Sequence, residues 1–178
     1  HVTGSFQTRD NIPPRLTVRQ ALSDPKRDFK RVVLPPMSYE HEIDKIENRW
    51  PRAEKFIADN QLNEKFGPKK APVGIVMQGG MYNGVIRALQ RLGLADIYGN
   101  SDVPLYVLNV TYPILQDEFL AFCSGKEAVL VVEEGQPEFI EQSLSTIMLR
   151  AECKTRLFGK NVFPMAGEYT GQVFFDGL

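Results

Sequence analysis

The sequence predicts an α/β domain built on a parallel sheet, and three observations carry that prediction. Three runs rich in β-branched residues, "VGIVM" (73–77), "LYVLNV" (105–110) and "AVLVVEE" (128–134), are continuously apolar, as strands covered on both faces are. A segment with helical apolar spacing follows each run. The resulting β-α-β-α-β-α order, at this spacing, suits right-handed crossovers between parallel strands.

Residues 1–37 are irregular, with prolines at 13, 14, 25, 35 and 36. Within them "SFQTR" (5–9) and "RVVL" (31–34) are candidate short strands, and "TVRQALSDP" (17–25) is a candidate short helix capped by Thr17. This stretch reads as a lead-in segment, and residues 38–153 as the domain with its helical approach. In "SYEHEIDKIENRWPRAEKFIADNQL" (38–62), Ser38 suits an N-cap, and Glu40 and Glu42 favour the positive end of a helix dipole. Tyr39, Ile43, Ile46 and Trp50 form one apolar stripe, Phe56 and Ile57 continue it, and Pro51 should end one helix and start the next.

The helix after the first strand groups Val85, Leu89 and Leu92, turns Arg87, Gln90 and Arg91 to water, and closes at Gly93. A helix from about 115 to 123 carries Asp117 and Glu118 in its first turn, the end the dipole favours for acids. Pro137 opens a third helix with Ile140, Leu144 and Ile147 on one stripe. Residues 154–178 lack a long periodic pattern; one more strand is expected near "TRLFG" (155–159), and the remainder reads as a linker.

Composition excludes several classes of function. The 178 residues are 43% apolar and 24% charged with a net charge of −1, which suits a soluble domain and lacks the basic face of a nucleic-acid binder. The basic clusters "KRDFKR" (26–31) and "KFGPKK" (65–70) read as solvated loops. No apolar run approaches the roughly 18 residues of a membrane span, and no signal peptide opens the sequence. His1 in place of Met favours an excerpt of a longer chain. Two cysteines, Cys123 and Cys153, and two histidines, His1 and His41, are too few for a multi-cysteine zinc or iron–sulfur site, and the low cysteine count suits a reducing cytoplasm. Cys123, among Phe119, Leu120 and Phe122, reads as a small core residue, and His41 as a surface histidine.

Ligands and partners of an open parallel sheet meet the carboxyl ends of its strands. Here those ends are "QGG" (78–80), "TYP" (111–113) and "EEGQP" (133–137). The glycine turn is not a dinucleotide fingerprint: in Gly79-Gly80-Met81-Tyr82-Asn83-Gly84 the second glycine comes one position early, and Met81 and Tyr82 crowd the space a diphosphate needs. Asn109 stands where an acidic residue is expected, and no G-x-x-x-x-G-K-[ST] occurs. Glu133 and Glu134 could form an acid/base pair, but adjacent strand residues point to opposite faces, so capping of the following helix or an interface role is the better reading. With one interior histidine, nucleophilic catalysis lacks its usual base. The sequence therefore predicts no catalytic and no metal-ligating residue. It predicts interface residues Gln78, Gly79, Gly80, Tyr82, Thr111, Tyr112, Pro113, Glu133 and Glu134. The alternative is a free-standing ligand-binding domain that uses the Gly79-Gly80 turn for an anion or nucleotide.

"VGIVMQGGMYNGVIRALQRLGL", followed by "YVLNVTYPILQDEFLAFCSGKEAVLVVEEGQPEFIEQ", resembles a domain of the thiamine-diphosphate-dependent 2-oxoacid:ferredoxin oxidoreductases. The nearest subgroup is that of indolepyruvate ferredoxin oxidoreductase, and "LPPMSYEHEIDKIENRWPRAEKFI" is similar to its large fused form. The resemblance implies a unit like the C-terminal domain of transketolase: three α/β/α layers around a mostly parallel sheet of about five strands, with an antiparallel strand from residues before 73. It also implies thiamine diphosphate, magnesium and iron–sulfur clusters in the intact enzyme but none held by this chain alone. The implied partners are other domains or subunits, with ferredoxin and coenzyme A engaging the intact enzyme. The G-D-G metal signature of the diphosphate-binding domain is absent, and the catalytic glutamate of such enzymes belongs to the pyrimidine domain, so neither role passes to Glu133 or Glu134.

Overall fold

The three apolar runs form adjacent strands of one sheet. The computed structural model describes residues 34–178, so the candidate strands at 5–9 and 31–34 and the candidate helix at 17–25 lie outside the described residues, Leu34 apart. The chain divides into two compact units, residues 1–44 and 45–178. The division thus falls inside the helical approach, and residues 154–178 belong with the sheet.

Of the first unit, helix α1 (Met37–Asp44) is described. It starts at the proline pair and not at a Ser38 cap: the Pro36 carbonyl accepts the N–H groups of Tyr39 and Glu40 at 3.1 and 3.3 Å. Prolines fit a helix start because their missing N–H would have had no partner there. The second unit opens with a π-helical turn, Lys45–Arg49, ahead of α2 (Trp50–Asp59). The break expected at Pro51 is replaced by this π-helical turn directly upstream, and Pro51 sits in the first turn of α2. Of the expected apolar stripe, Ile57 is buried, but Tyr39, Ile46 and Phe56 are more than half exposed.

The sheet has five strands in the order β1-β3-β2-β4-β5. They are β1 (Glu64–Phe66), β2 (Val73–Gln78), β3 (Leu105–Leu108), β4 (Ala128–Val132) and β5 (Arg156–Phe158). β2, β3, β4 and β5 are parallel, and β1 runs antiparallel along β3, with Phe66 opposite Leu105. The expected mostly parallel five-stranded sheet is therefore present, with its antiparallel strand drawn from before residue 73. Between the strands run α3 (Tyr82–Arg91), α4 (Gln116–Cys123) and α5 (Phe139–Arg150). Gly93, at a φ of 73°, ends α3 with a turn in which Leu94 N–H returns to the Leu89 carbonyl.

Strand alternation divides the core into two layers. Ile75, Met77, Leu105, Val107 and Val132 face α3 and pack with Val85 and Leu89. Val76, Tyr106, Leu108, Val129 and Val131 face α4 and α5 and pack with Phe119, Cys123, Ile140 and Leu144. The Tyr106 hydroxyl, deep in the second layer, donates to Glu118 at 2.8 Å, and burial, helped by that bond, raises its pKa above the usual tyrosine range.

Residues beyond β5 are not a linker. They close with a helix, α6 (Gly171–Gly177), capped by the Thr170 side chain, and Phe163, Tyr169 and Phe174 are buried in the α3 layer. The Phe163 and Tyr169 rings stack at 5.3 Å, and Phe174 meets Tyr169 edge-on at 5.9 Å. The three aromatics are spaced six and five residues apart, which fits no single periodicity; burial, not pattern, orders the segment. Replacing Phe174 by Ala should cost about 3–5 kcal/mol, read as a lower urea midpoint.

Cys123 is fully buried, and burial first, with the neighbouring Cys153 second, pushes its thiol up to about 12. A thiol whose folded pKa lies above its ordinary 9.0 stabilises the fold fully below pH 9 and loses that contribution as pH rises toward 12. The Cys123→Ala protein should therefore lose up to about 1.4 kcal/mol less per pH unit than the parent across that window, measured by denaturation at stepped pH.

Candidate functional site

The parallel sheet places the ends of β2, β3 and β4 side by side, and their order makes the β2–β4 gap the point where successive crossovers pass to opposite sides. The polar groups of this edge hold the edge itself together. Gln78, at the end of β2, accepts the Glu134 N–H through Oε1 at 3.0 Å and so ties β2 to the end of β4. Asn109, after β3, donates through Nδ2 to the Leu62 carbonyl at 2.9 Å and to Glu64 Oε2 at 2.8 Å. Asn63 accepts the Val110 N–H at 3.0 Å. The two asparagines clamp the approach to β1 against the end of β3.

The paired glutamates diverge as strand geometry requires. Glu133, buried at 5% exposure, accepts the Ile140 N–H on both oxygens, at 3.0 and 3.1 Å, and the Glu141 N–H at 3.0 Å. Its charge sits at the positive end of α5 and satisfies N–H groups that have no partner within the helix. Glu134 points to the other face, where it accepts the Tyr169 N–H at 2.5 Å and anchors the segment leading to α6. Both carboxylates are engaged on opposite faces, and they form no acid/base pair.

What remains open is a cleft of about 340 Å³ lined by Gln78, Thr111, Tyr112, Glu133, Phe139 and Ser143, with Ile140 at its base. Tyr112 is 70% exposed and braced edge-on by Trp50 at 4.9 Å; Phe139 is 65% exposed. Of the predicted residues, Gln78, Thr111, Tyr112 and Glu133 meet at this cleft. Gly79, Gly80, Tyr82, Pro113 and Glu134 do not line it: Pro113 is buried, and Tyr82 packs on Phe66 at 5.3 Å. Trp50, Phe139 and Ser143 were missed, because each reads locally as an ordinary helix residue and only the fold brings it to the strand ends.

The glycine turn is a corner. A Cβ on Gly79 would come within 2.6 Å of Asn109 Oδ1, so glycine is there to admit the asparagine. An acceptor oxygen over the turn, with Glu64 bonded to the same side chain, repels an anion, and these residues do not fit a phosphate. Nor do they fit a metal or an iron–sulfur cluster: among the described residues no three His, Cys, Asp or Glu side chains gather as such a site requires.

A family model described as the indolepyruvate oxidoreductase domain matches residues 63–176. The chain belongs to that family. Among curated relatives, the indolepyruvate oxidoreductase subunit IorA of Methanothermobacter thermautotrophicus is 29% identical over 84% of this chain and 23% of its own length. The IorA subunit of Methanothermobacter marburgensis is 42% identical over 45% of this chain and 12% of its own. The chain thus spans less than a quarter of either relative. A solved 2-oxoglutarate:ferredoxin oxidoreductase from Magnetococcus marinus, with 2-oxoglutarate, coenzyme A and succinyl-CoA bound, shares the fold at a TM-score of 0.50 and 23% identity, over 79% of this chain and 23% of that one. The expected family is thereby shown, and the domain of the indolepyruvate oxidoreductase family occupies nearly all of the second unit.

Glu133→Ala should destabilise this domain by about 2 kcal/mol, since two N–H groups at the start of α5, those of Ile140 and Glu141, lose a charged acceptor. Glu133→Gln should recover part of the loss. Equal stability of all three proteins in chemical denaturation would remove Glu133 from its capping role.

Proposed function

We propose that this indolepyruvate oxidoreductase domain is a non-catalytic assembly element of a larger 2-oxoacid:ferredoxin oxidoreductase. That enzyme oxidatively decarboxylates 2-oxoacids, aryl pyruvates such as indolepyruvate among them, to acyl-coenzyme A, with ferredoxin accepting the electrons. Thiamine diphosphate, magnesium and iron–sulfur clusters belong to other parts of it, and its place is the cytoplasm. No described helix is long and apolar enough to cross a membrane. Both IorA relatives are several times longer than this chain, which supports a role beside other domains.

The observation that carries the reading is the division of labour at the carboxyl edge. Gln78, Asn109, Glu133 and Glu134 are bonded within the domain, while Tyr112 and Phe139 stand exposed around the cleft. Exposed aromatics on a rigid frame, with few unspent polar groups, suit an interface centre better than a reacting site.

Tyr112→Ala and Phe139→Ala remove side chains that the fold scarcely buries, so the isolated chain should melt close to the parent temperature. In the intact enzyme the same pair should lower assembly, turnover or both by about tenfold or more, as interface anchors do. Unchanged subunit association and turnover in the double variant would overturn the proposal.

A further inference from the structure

A second cleft, of about 310 Å³, opens between the β1–β2 connection and the last turn of α4. It lies at the amino ends of β2, β3 and β4, opposite the edge described above. Its walls are mostly apolar, Phe66, Leu105 and Phe122 among them, and its three charged residues, Lys65, Lys69 and Lys126, carry one sign. Lysines usually lay their stems along a surface and leave the ammonium in water. Lys65 and Lys69 are exposed in that way, but Lys126 is only 8% exposed.

The position of Lys126 is fixed. Its ammonium donates to the Phe122 carbonyl at 2.7 Å and lies 4.5 Å from the centre of the Phe122 ring. Gly74, on β2, makes room for both: a Cβ there would meet Phe122 Cζ at 2.8 Å and Lys126 Cε at 2.9 Å. No carboxylate among the described residues pairs with this ammonium, and burial lowers its pKa. Part of the arrangement is a helix end, since the Phe122 carbonyl is one that α4 leaves without a partner, and a cation there meets the negative end of the dipole. That accounts for one of the three ammonium donors and for about half a charge. It does not account for two further lysines beside the same apolar walls.

We propose that this cleft binds a small organic anion, a carboxylate on a compact aromatic or aliphatic body, with its head group at Lys126 and its body against Phe66 and Phe122. Lys65 and Lys69 hold the mouth of the site positive. The cleft is near the small end of ligand pockets, which start at roughly 300 Å³, so a single ring is its natural load. The site stands apart from the carboxyl-edge interface, and neither reading depends on the other.

The test is calorimetric titration of the 178-residue chain with phenylacetate, with lysine ammonium resonances followed by NMR. Binding should saturate, shift the Lys126 resonance, and weaken at least about tenfold in Lys126→Met, the loss expected of a charge-assisted bond. Lys126→Met exchanges a buried unpaired charge for an apolar chain of similar shape and should keep the fold, checked by its melting curve. Should it fail to fold, the exposed pair Lys65→Gln and Lys69→Gln should together weaken binding severalfold. Neutral phenylacetamide and inorganic phosphate, which lack the charge and the apolar body respectively, should each bind at least about tenfold more weakly. The proposal is overturned by no saturable binding of phenylacetate at millimolar concentration, by equal affinity in Lys126→Met, or by equal affinity for either control.

Discussion

A buried carboxylate sets the geometry on which the carboxyl edge of this domain depends. Glu133 leaves β4 and accepts the first free N–H groups of α5, so the helix must start at that point and at that angle to the sheet. Phe139 and Ser143, one wall of the cleft, are placed by the same contact. The effect reaches further, because Glu141, held in the first turn, accepts the Lys160 N–H at 2.7 Å just beyond β5. On the opposite face Glu134 holds the Tyr169 N–H, so two adjacent residues tie down a helix on one side and the C-terminal segment on the other. Strand alternation makes this possible and also prevents the two acids from sharing one substrate proton.

The sheet was legible because β2, β3 and β4 are covered on both faces, which demands unbroken apolar runs that chance rarely supplies. β1 and β5 carry weaker patterns for the same physical reason in reverse, although a strand near 155–159 is expected from the sequence and forms β5 there. "EKF" and "RLF" lie at sheet edges with one neighbour each, and an edge strand tolerates charge and is often favoured by it. The C-terminal segment misled because Phe163, Tyr169 and Phe174 act as single plugs into the α3 layer and not as a face with a repeat. At the candidate site, Gln78, Thr111, Tyr112 and Glu133 could be read from their place at strand ends. Trp50 and Phe139 could not, since the first reaches Tyr112 across about sixty residues of chain and the second is turned outward by the Glu133 cap.

The glycine turn shows why a motif must be judged by what approaches it. Strand, glycines and helix are all present around Gly79, yet the Asn109 side chain, with its acceptor oxygen, lies against Gly79. Asn109 is needed there because the approach to β1 must be fastened to the end of β3, and its two bonds to Leu62 and Glu64 do that. The residue that departs from the nucleotide pattern is thus the one that builds the sheet edge.

The two ends of the sheet differ in how they handle buried charge. At the carboxyl end Glu133 is desolvated but bonded to the Ile140 and Glu141 N–H groups, so covering that edge with another protein surface would not strand its charge. Drying this surface leaves the buried charge satisfied, and the exposed rings of Tyr112 and Phe139 supply the gain. At the amino end Lys126 is desolvated with one carbonyl acceptor, the Phe122 ring beside it and, among the described residues, no counter-charge, so drying that cleft against an apolar surface would be costly. The anion proposed for it brings the missing negative charge. The same sheet therefore presents one edge suited to a protein neighbour and one cleft suited to an anion, and the difference follows from how many hydrogen bonds each buried charge has already made.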